Sequence, residues 1–530
     1  MSVLSISVTR KAAIVLWIPL SAVLWILYAW LPASPDHQMF DYIGLVGSWG
    51  GHNYIDSSDH NWPGAMLLHE VATRIMGAHF WSFRAFDFAI ALLGGAALFG
   101  LLRSAGQTLA GWIVLPLYQL MYINSGIWFA GQRDIVAANS LLMGAAIFSY
   151  GVRAKMPTLL VVVGAIIGFA TLIRPTYLSY LAYLAGLLIV TPALANARTD
   201  NTLKGRVWSI CWLFVGISLI AMIALLWGLA SGNLRAWYEQ AVLFNLFLSF
   251  QGRNTTYLEV VARFSEYVFQ WHWYLVFAIL GLIAWIRKAG IGVELLAGVG
   301  VALTGLLSAI VQKVGFGYHL GAVLPILAML TAVWLATVLE AFLHRPKNGL
   351  ALLSVFIFWG IALLGIAKKT ASYLPQVTAL VTGDLNPMLR TVGEPRGVPW
   401  EILEVANFIR ANSKPDDFVL AWSRYLHILY LSERRSTTHL SDIGMLTSAS
   451  DAFSPAKDWL DQFDRELVEH APKFIVLQTP ASSDGFDKFY GAENVNRSVT
   501  AVRDLVKTQY VKVAEFGPFE IYGSRADQYK

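Results

Sequence analysis

About eleven apolar stretches of this chain are long enough, or nearly so, to cross a bilayer as helices, which takes roughly 17–25 residues each. They lie near 12–32, 85–102, 108–125, 134–151, 157–173, 176–193, 207–230, 271–286, 291–311, 319–342 and 350–367. Composition agrees: 56% of the 530 residues are hydrophobic and 14% charged, where a soluble domain carries about 25% charged residues. The expected fold class is a polytopic α-helical membrane protein with about 11 transmembrane helices. The first stretch follows Arg10 and Lys11 with no small-residue cleavage site after it, so it reads as an uncleaved spanning helix. The single cysteine, Cys211, excludes an intramolecular disulfide and a cysteine-based metal cluster.

Charge sets an orientation. With the N-terminus cytoplasmic, the inner segments carry Arg10, Lys11, Arg103, Arg153, Lys155, Arg198, Lys204, Arg206, Arg287, Lys288, Arg345 and Lys347, as the positive-inside rule requires. The net charge of +5 is thereby a topology signal, and no nucleic-acid partner is expected. The outer side collects Asp36, Asp41, Asp56, Asp59, Glu70, Asp134, Glu239, Glu259 and Glu266. An odd number of spans puts the C-terminus outside, in a bacterial inner (plasma) membrane on this reading.

Three outer segments are long. In the first, 33–84, "PGAMLLHEVATRIMG" has Pro63 at a helix start and Gly77 at its end. Leu67, Leu68, Val71, Ala72, Ile75 and Met76 share one helical face, the pattern of a helix lying in the membrane interface. The second, 231–270, offers Trp237, Tyr238, Trp271 and Trp273 as interfacial anchors. The third is the tail, 368–530, where long apolar runs stop. "PWEILEVANFIRAN" reads as an amphipathic helix, "FVLAW" and "KFIVLQT" as buried strands, and "YVKVAEFGPFEIYG" as a hairpin around Gly517. The expected organisation is a membrane domain over 1–367 and an extracytoplasmic α/β domain over 368–530.

Several outer polar residues can carry chemistry. Asp36 follows the first span by four residues; there a carboxylate can act as a general base, help hold a divalent cation, or simply end the helix in solvent. Asp56, Asp59 and His60 suit a metal, a hydroxylated substrate, or a polar turn bonding its own backbone. Arg133 and Asp134 open the fourth span, where an acid is also favoured by the helix dipole. Arg174 sits between two apolar runs; an arginine at membrane depth takes a partner or an anionic ligand, and its fork matches a phosphate. Lys313 and His319 lie on the same outer side. Arg84 and Asp87, three apart, read as a structural ion pair.

The first outer segment resembles that of the GT-C glycosyltransferases, polytopic enzymes that use polyprenyl-phosphate sugars and include protein O-mannosyltransferases and the lipid A aminoarabinose transferase. The resemblance runs through Asp36, Phe40, Gly51, Tyr54, Asp56 and Asn61-Trp62-Pro63 into "LLHEVATRIMG", and continues in "IRPTYL", "YHLGAVLPILAML" and "LAWSRYLHILYLSERRSTTHL". It implies that Asp36 is the catalytic base and that Asp134 is the acid of the second outer loop. Two positions depart: His37 stands where many relatives carry a second acid, and Trp62-Pro63-Gly64 where they carry two prolines.

The expected function is transfer of a sugar from a polyprenyl-phosphate-linked donor to a glycan, lipid or protein acceptor on the outer membrane face, with inversion. The leaving lipid phosphate would be met by Arg174, Arg133 and Lys313, in that order, with Asp56, Asp59, His60 and His319 also lining the substrate site. A divalent metal is left open. The alternative is a flippase or transporter of lipid-linked sugars, which inverted repeats and midplane charges would favour; the sequence shows no repeats.

Overall fold

The computed structural model describes residues 34–190, 203–248, 256–313, 315–344, 353, 382–383, 400–442, 444–445, 453–478 and 497–527. The expected spans near 12–32 and 350–367 lie outside the described residues, save residue 353. The other nine expected spans are all helical: Ser82–Ser104, Thr108–Asn124, Arg133–Ala154, Leu159–Ile173, Ser179–Val190, Leu203–Ala230, His272–Ala289, Val293–Val311 and Leu324–His344. Among the described residues, six helical segments are long and apolar enough to cross a membrane; Leu159–Ile173 and Pro175–Val190 are apolar but shorter.

The chain divides into two compact units. The first comprises residues 1–31, 84–224 and 254–377. Within it, His272–Ala289 and Thr108–Asn124 pack on Leu324–His344, and Leu159–Ile173 and Val293–Val311 pack on Arg133–Ala154. Leu159–Ile173 meets Leu203–Ala230 at two glycines: a Cβ on Gly164 would strike the Leu213 carbonyl, and one on Gly216 the Val161 carbonyl. Small residues at a helix crossing let backbones touch where lipid supplies no hydrophobic drive.

The second unit gathers 32–83, 225–253 and 378–530, so the segment after the first expected span clusters with the tail. Its helices His37–Ser48 and Pro63–Met76 approach so closely that a Cβ on Gly44 would meet the backbone of His69 and Glu70. The Pro63–Met76 helix buries Met66, His69, Ala72 and Thr73 and leaves Val71 and Ile75 exposed. Ala72 thus faces inward, which corrects its place on the expected interfacial face.

The tail strands form where the apolar runs stand: β1 Phe418–Trp422, β2 Arg435–Ser436, β3 Phe474–Gln478, β4 Tyr510–Phe516 and β5 Phe519–Ser524. The sheet order is β2-β1-β3-β5-β4, with β1 parallel to β2 and β3, and β5 antiparallel to β3 and β4. Gly517 takes a positive φ at the β4–β5 turn. Phe244, from a helical stretch over 234–247, enters the sheet's core beside Leu420, Trp459, Phe463 and Ile475. The anchors expected in 231–270 divide accordingly. Tyr238 and Trp273 are exposed, but Trp271 is buried against Phe129, and Trp237 packs edge-on to Trp62.

Candidate active site

In the second unit, Asp36 caps the His37–Ser48 helix without a side-chain capping bond to it, and is half-buried. One turn on, the helix carries a buried carboxylate, Asp41. His69 Nδ1 lies 2.7 Å from its Oδ1 and His427 Nε2 2.7 Å from its Oδ2. An ionised carboxylate only accepts, so each of these ring nitrogens is the donor. Burial by itself raises the Asp41 carboxyl, but the two imidazoles outweigh it and hold the group well below the ordinary carboxylate range. Neither histidine is singled out by the sequence, nor is Asp41 beyond its place among the outer acids.

The loop after this helix carries Asp56, Asp59 and His60. Asp56 is exposed and accepts the His52 backbone N–H at 2.6 Å. Asp59 is buried and accepts the Asn61 backbone N–H at 2.9 Å and its side-chain amide at 2.7 Å. Its ring neighbour His60 is half-buried, with Nδ1 3.6 Å from Asp59 Oδ1. Of the readings open for these three, the turn in which acids bond local backbone is the one Asp56 and Asp59 adopt. Amides from 233–245 complete the loop. Asn233 donates to Asn53 O at 3.2 Å, Gln240 accepts from the Asp59 N–H at 3.0 Å and donates to Tyr54 O at 2.7 Å, and Asn245 donates to His60 O. Gln240 lies in a π-helical turn, Tyr238–Leu243, a form frequent at functional sites. Tyr54 has φ +72°, a costly conformation for a bulky side chain, and is held by its hydroxyl donating to Asn61 O at 2.6 Å.

In the first unit, Asp134, Arg174 and His319 converge. Gln132 is extended and starts the Arg133–Ala154 helix, placing Asp134 in its first turn. Arg174 precedes Pro175, and proline drives the residue before it out of the helical region; Arg174 is indeed extended, at φ −147° and ψ 104°. His319 lies in a 3-10 turn, Gly317–Val323. The guanidinium meets Asp134 bidentately, Nε to Oδ1 at 3.1 Å and Nη2 to Oδ2 at 2.8 Å. His319 Nδ1 is 2.7 Å from Arg174 Nη2 and 2.9 Å from Asp134 Oδ2. That nitrogen serves one of them in any one state: bare, it accepts from Arg174; protonated, it donates to Asp134. The fork expected to face a phosphate is therefore directed at Asp134, which is the partner a membrane arginine requires. Arg133 is half-buried beside Asp134 in sequence. Lys313 is half-buried, with Nζ 4.7 Å from the Tyr257 ring centroid. The Arg84–Asp87 pair forms at 3.9 Å, both buried, and Asp87 also accepts the Tyr122 hydroxyl at 2.8 Å.

Among the described residues, no group of three or more His, Cys, Asp or Glu side chains is arranged to hold a metal ion.

No protein-family model matches the chain, and no curated protein sequence matches it significantly. Solved structures do match in fold. ArnT from Cupriavidus metallidurans bound to undecaprenyl phosphate is 14% identical, with 96% of this chain and 97% of that chain covered at a TM-score of 0.60. The same enzyme in the apo state gives 14% identity, 98% and 99% coverage and a TM-score of 0.59. The archaeal oligosaccharyltransferase AglB from Archaeoglobus fulgidus, in complex with an inhibitory peptide and a dolichol-phosphate, is 14% identical, with 98% and 74% covered at a TM-score of 0.50. The chain shares the fold of these structures over nearly its whole length.

Proposed function

We propose that this protein is an integral membrane glycosyltransferase moving a sugar from a polyprenyl-phosphate donor to a glycan, lipid or protein acceptor on the outer face of the membrane. The observation that carries the reading is the fold shared with two transferases, one bound to undecaprenyl phosphate and the other to dolichol-phosphate. Proteins with that one architecture and different partners support a lipid-linked donor here.

Asp36 is the proposed base. It takes the proton from an acceptor hydroxyl or amine as that atom attacks the anomeric carbon. The bond from that carbon to the phosphate oxygen breaks, the lipid phosphate leaves with the electron pair, and a single displacement inverts the centre. Arg133 and Lys313 are the proposed cations for the growing phosphate charge. Arg174 moves behind them from the first place it held from sequence, because its Nε and Nη2 already meet Asp134. Asp134 itself is proposed to hold Arg174 and His319 in place rather than to move a proton. Asp56 and His60 are proposed to meet the sugar, and the buried Asp59 to shape the loop.

The test uses full-length protein in membranes with the polyprenyl-phosphate sugar fraction extracted from the source cells, read as release of polyprenyl phosphate. Asp36→Asn is expected to cut turnover about 100- to 10,000-fold, the range of a lost general base. Full turnover in that variant overturns the role of Asp36. Movement of the lipid-linked sugar across the membrane with no release of polyprenyl phosphate overturns the transferase reading in favour of a flippase.

A further inference from the structure

The proposed chemistry leaves unused the buried cluster around Asp41. Asp41, His69 and His427 are all buried, and they come from three segments: the His37–Ser48 helix, the Pro63–Met76 helix and the short His427–Ser432 helix of the tail. Aromatic neighbours fix each ring. His69 lies flat on Phe83, centroids 3.5 Å apart and 10° between planes. His37 stands edge-on to both, 5.4 Å from His69 and 5.1 Å from Phe83. Phe80 is 5.2 Å from His427. The residue next to Asp36 is thus wedged against a ring that is bonded to Asp41, and the first turn of the helix cannot rotate about its axis without breaking a carboxylate–imidazole bond.

We propose that Asp41, His69 and His427 are positioning residues that fix the helix start bearing Asp36, so that the tail sets the aim of the base through His427. The proposal rests on the reading of Asp36 as the base. A displacement of about 1 Å at a reacting group costs on the order of 100-fold in rate, and a functional side chain is only as well placed as the groups that support it. The two donors are chemically replaceable: a glutamine amide at 427 reaches like Nε2–H, and an asparagine amide at 69 reaches like Nδ1–H.

Two measurements on the full-length protein test this. The first is turnover of the extracted polyprenyl-phosphate sugar fraction. His427→Phe is expected to lower kcat about 10- to 100-fold with KM for that fraction changed less than about twofold, and His427→Gln to recover most of the loss. In an Asp36→Asn background, His427→Phe should cost nothing further, because it acts through the group already removed. Equal losses in both backgrounds, or a glutamine no better than phenylalanine, overturn the proposal. The second is amide hydrogen exchange over residues 37–48, which needs no substrate. Faster exchange there in His427→Phe than in His427→Gln is expected, and unchanged exchange overturns the clamp even if Asp36 proves not to be the base.

Discussion

The two units solve one problem in two ways. In each, a buried carboxylate is shared by two nitrogen-bearing side chains from distant segments: Asp134 by Arg174 and His319, Asp41 by His69 and His427. The difference is the charge of the partner. Asp134 opens a helix long and apolar enough to span a membrane, and its negative charge is balanced by a permanent guanidinium. Asp41 lies outside such helices and is held by imidazoles, which donate hydrogen bonds without needing a charge. A buried carboxylate at the start of an apolar helix takes a permanent opposite charge, whereas Asp41 is held by charge attraction to His69 and by hydrogen bonds from both imidazoles.

The sharpest way to break this contrast is to remove one charge from the balanced pair. Asp134→Ala should destabilise the protein by about 3–5 kcal/mol, because Arg174 is left buried and unbalanced. The double variant Asp134→Leu, Arg174→Met should regain most of that, as apolar replacements of buried pairs do. Thermal unfolding in detergent reads both, and a double variant as unstable as the single one would show that geometry rather than charge balance matters there.

Asp41→Asn should cost less, about 2–3 kcal/mol near neutral pH, since the hydrogen bonds to a charged acceptor are lost while the asparagine oxygen still accepts from one imidazole. The sign of its pH dependence follows from the depressed folded-state value. The stabilisation is fully present above the unfolded value of 3.8 and is lost as pH falls through the lower folded value. Unfolding free energy measured from roughly pH 5 down to 2 should therefore fall more steeply in the wild type than in Asp41→Asn, and parallel slopes would contradict the imidazole account. The smallest effect is expected at Lys313. Lys313→Gln gives up the contact with the Tyr257 ring, about 0.5–1 kcal/mol, while raising KM for the extracted lipid-linked sugar several-fold. An unchanged KM would remove Lys313 from the proposed phosphate site.

What the sequence discloses divides along the same line. The spanning helices are legible because a run of apolar residues is a local signal, and Arg174 stands out because an arginine in such a run is anomalous. Its partner is not legible, since nothing in "IRPTYL" points across 40 residues to Asp134. The strands of the tail are readable as short apolar runs between turn residues, and Gly517 marks its hairpin. The Asp41 cluster is hidden for two reasons. His427 is 386 residues from Asp41, and His69 is a polar residue on the buried face of its helix, with Met66, Ala72 and Thr73. Hydrophobicity draws attention instead to Val71 and Ile75, which the fold leaves exposed. Gln240, Asn233 and Asn245 are uncharged amides in a stretch read for its tryptophans, and only the loop they hold reveals their use.

The loop from Asn53 to His60 bears on how the chain matures. Its hydrogen bonds run to residues as much as 384 positions later, Ser57 to Ser441, and Asp41 reaches as far to His427. During synthesis these early residues emerge long before their partners exist, so the order of translation delays their final shape. Contacts of such long range close slowly. A newly made molecule would therefore carry an unfinished loop until its last segments arrive, and the competence proposed for it would come as a late event rather than accumulate helix by helix.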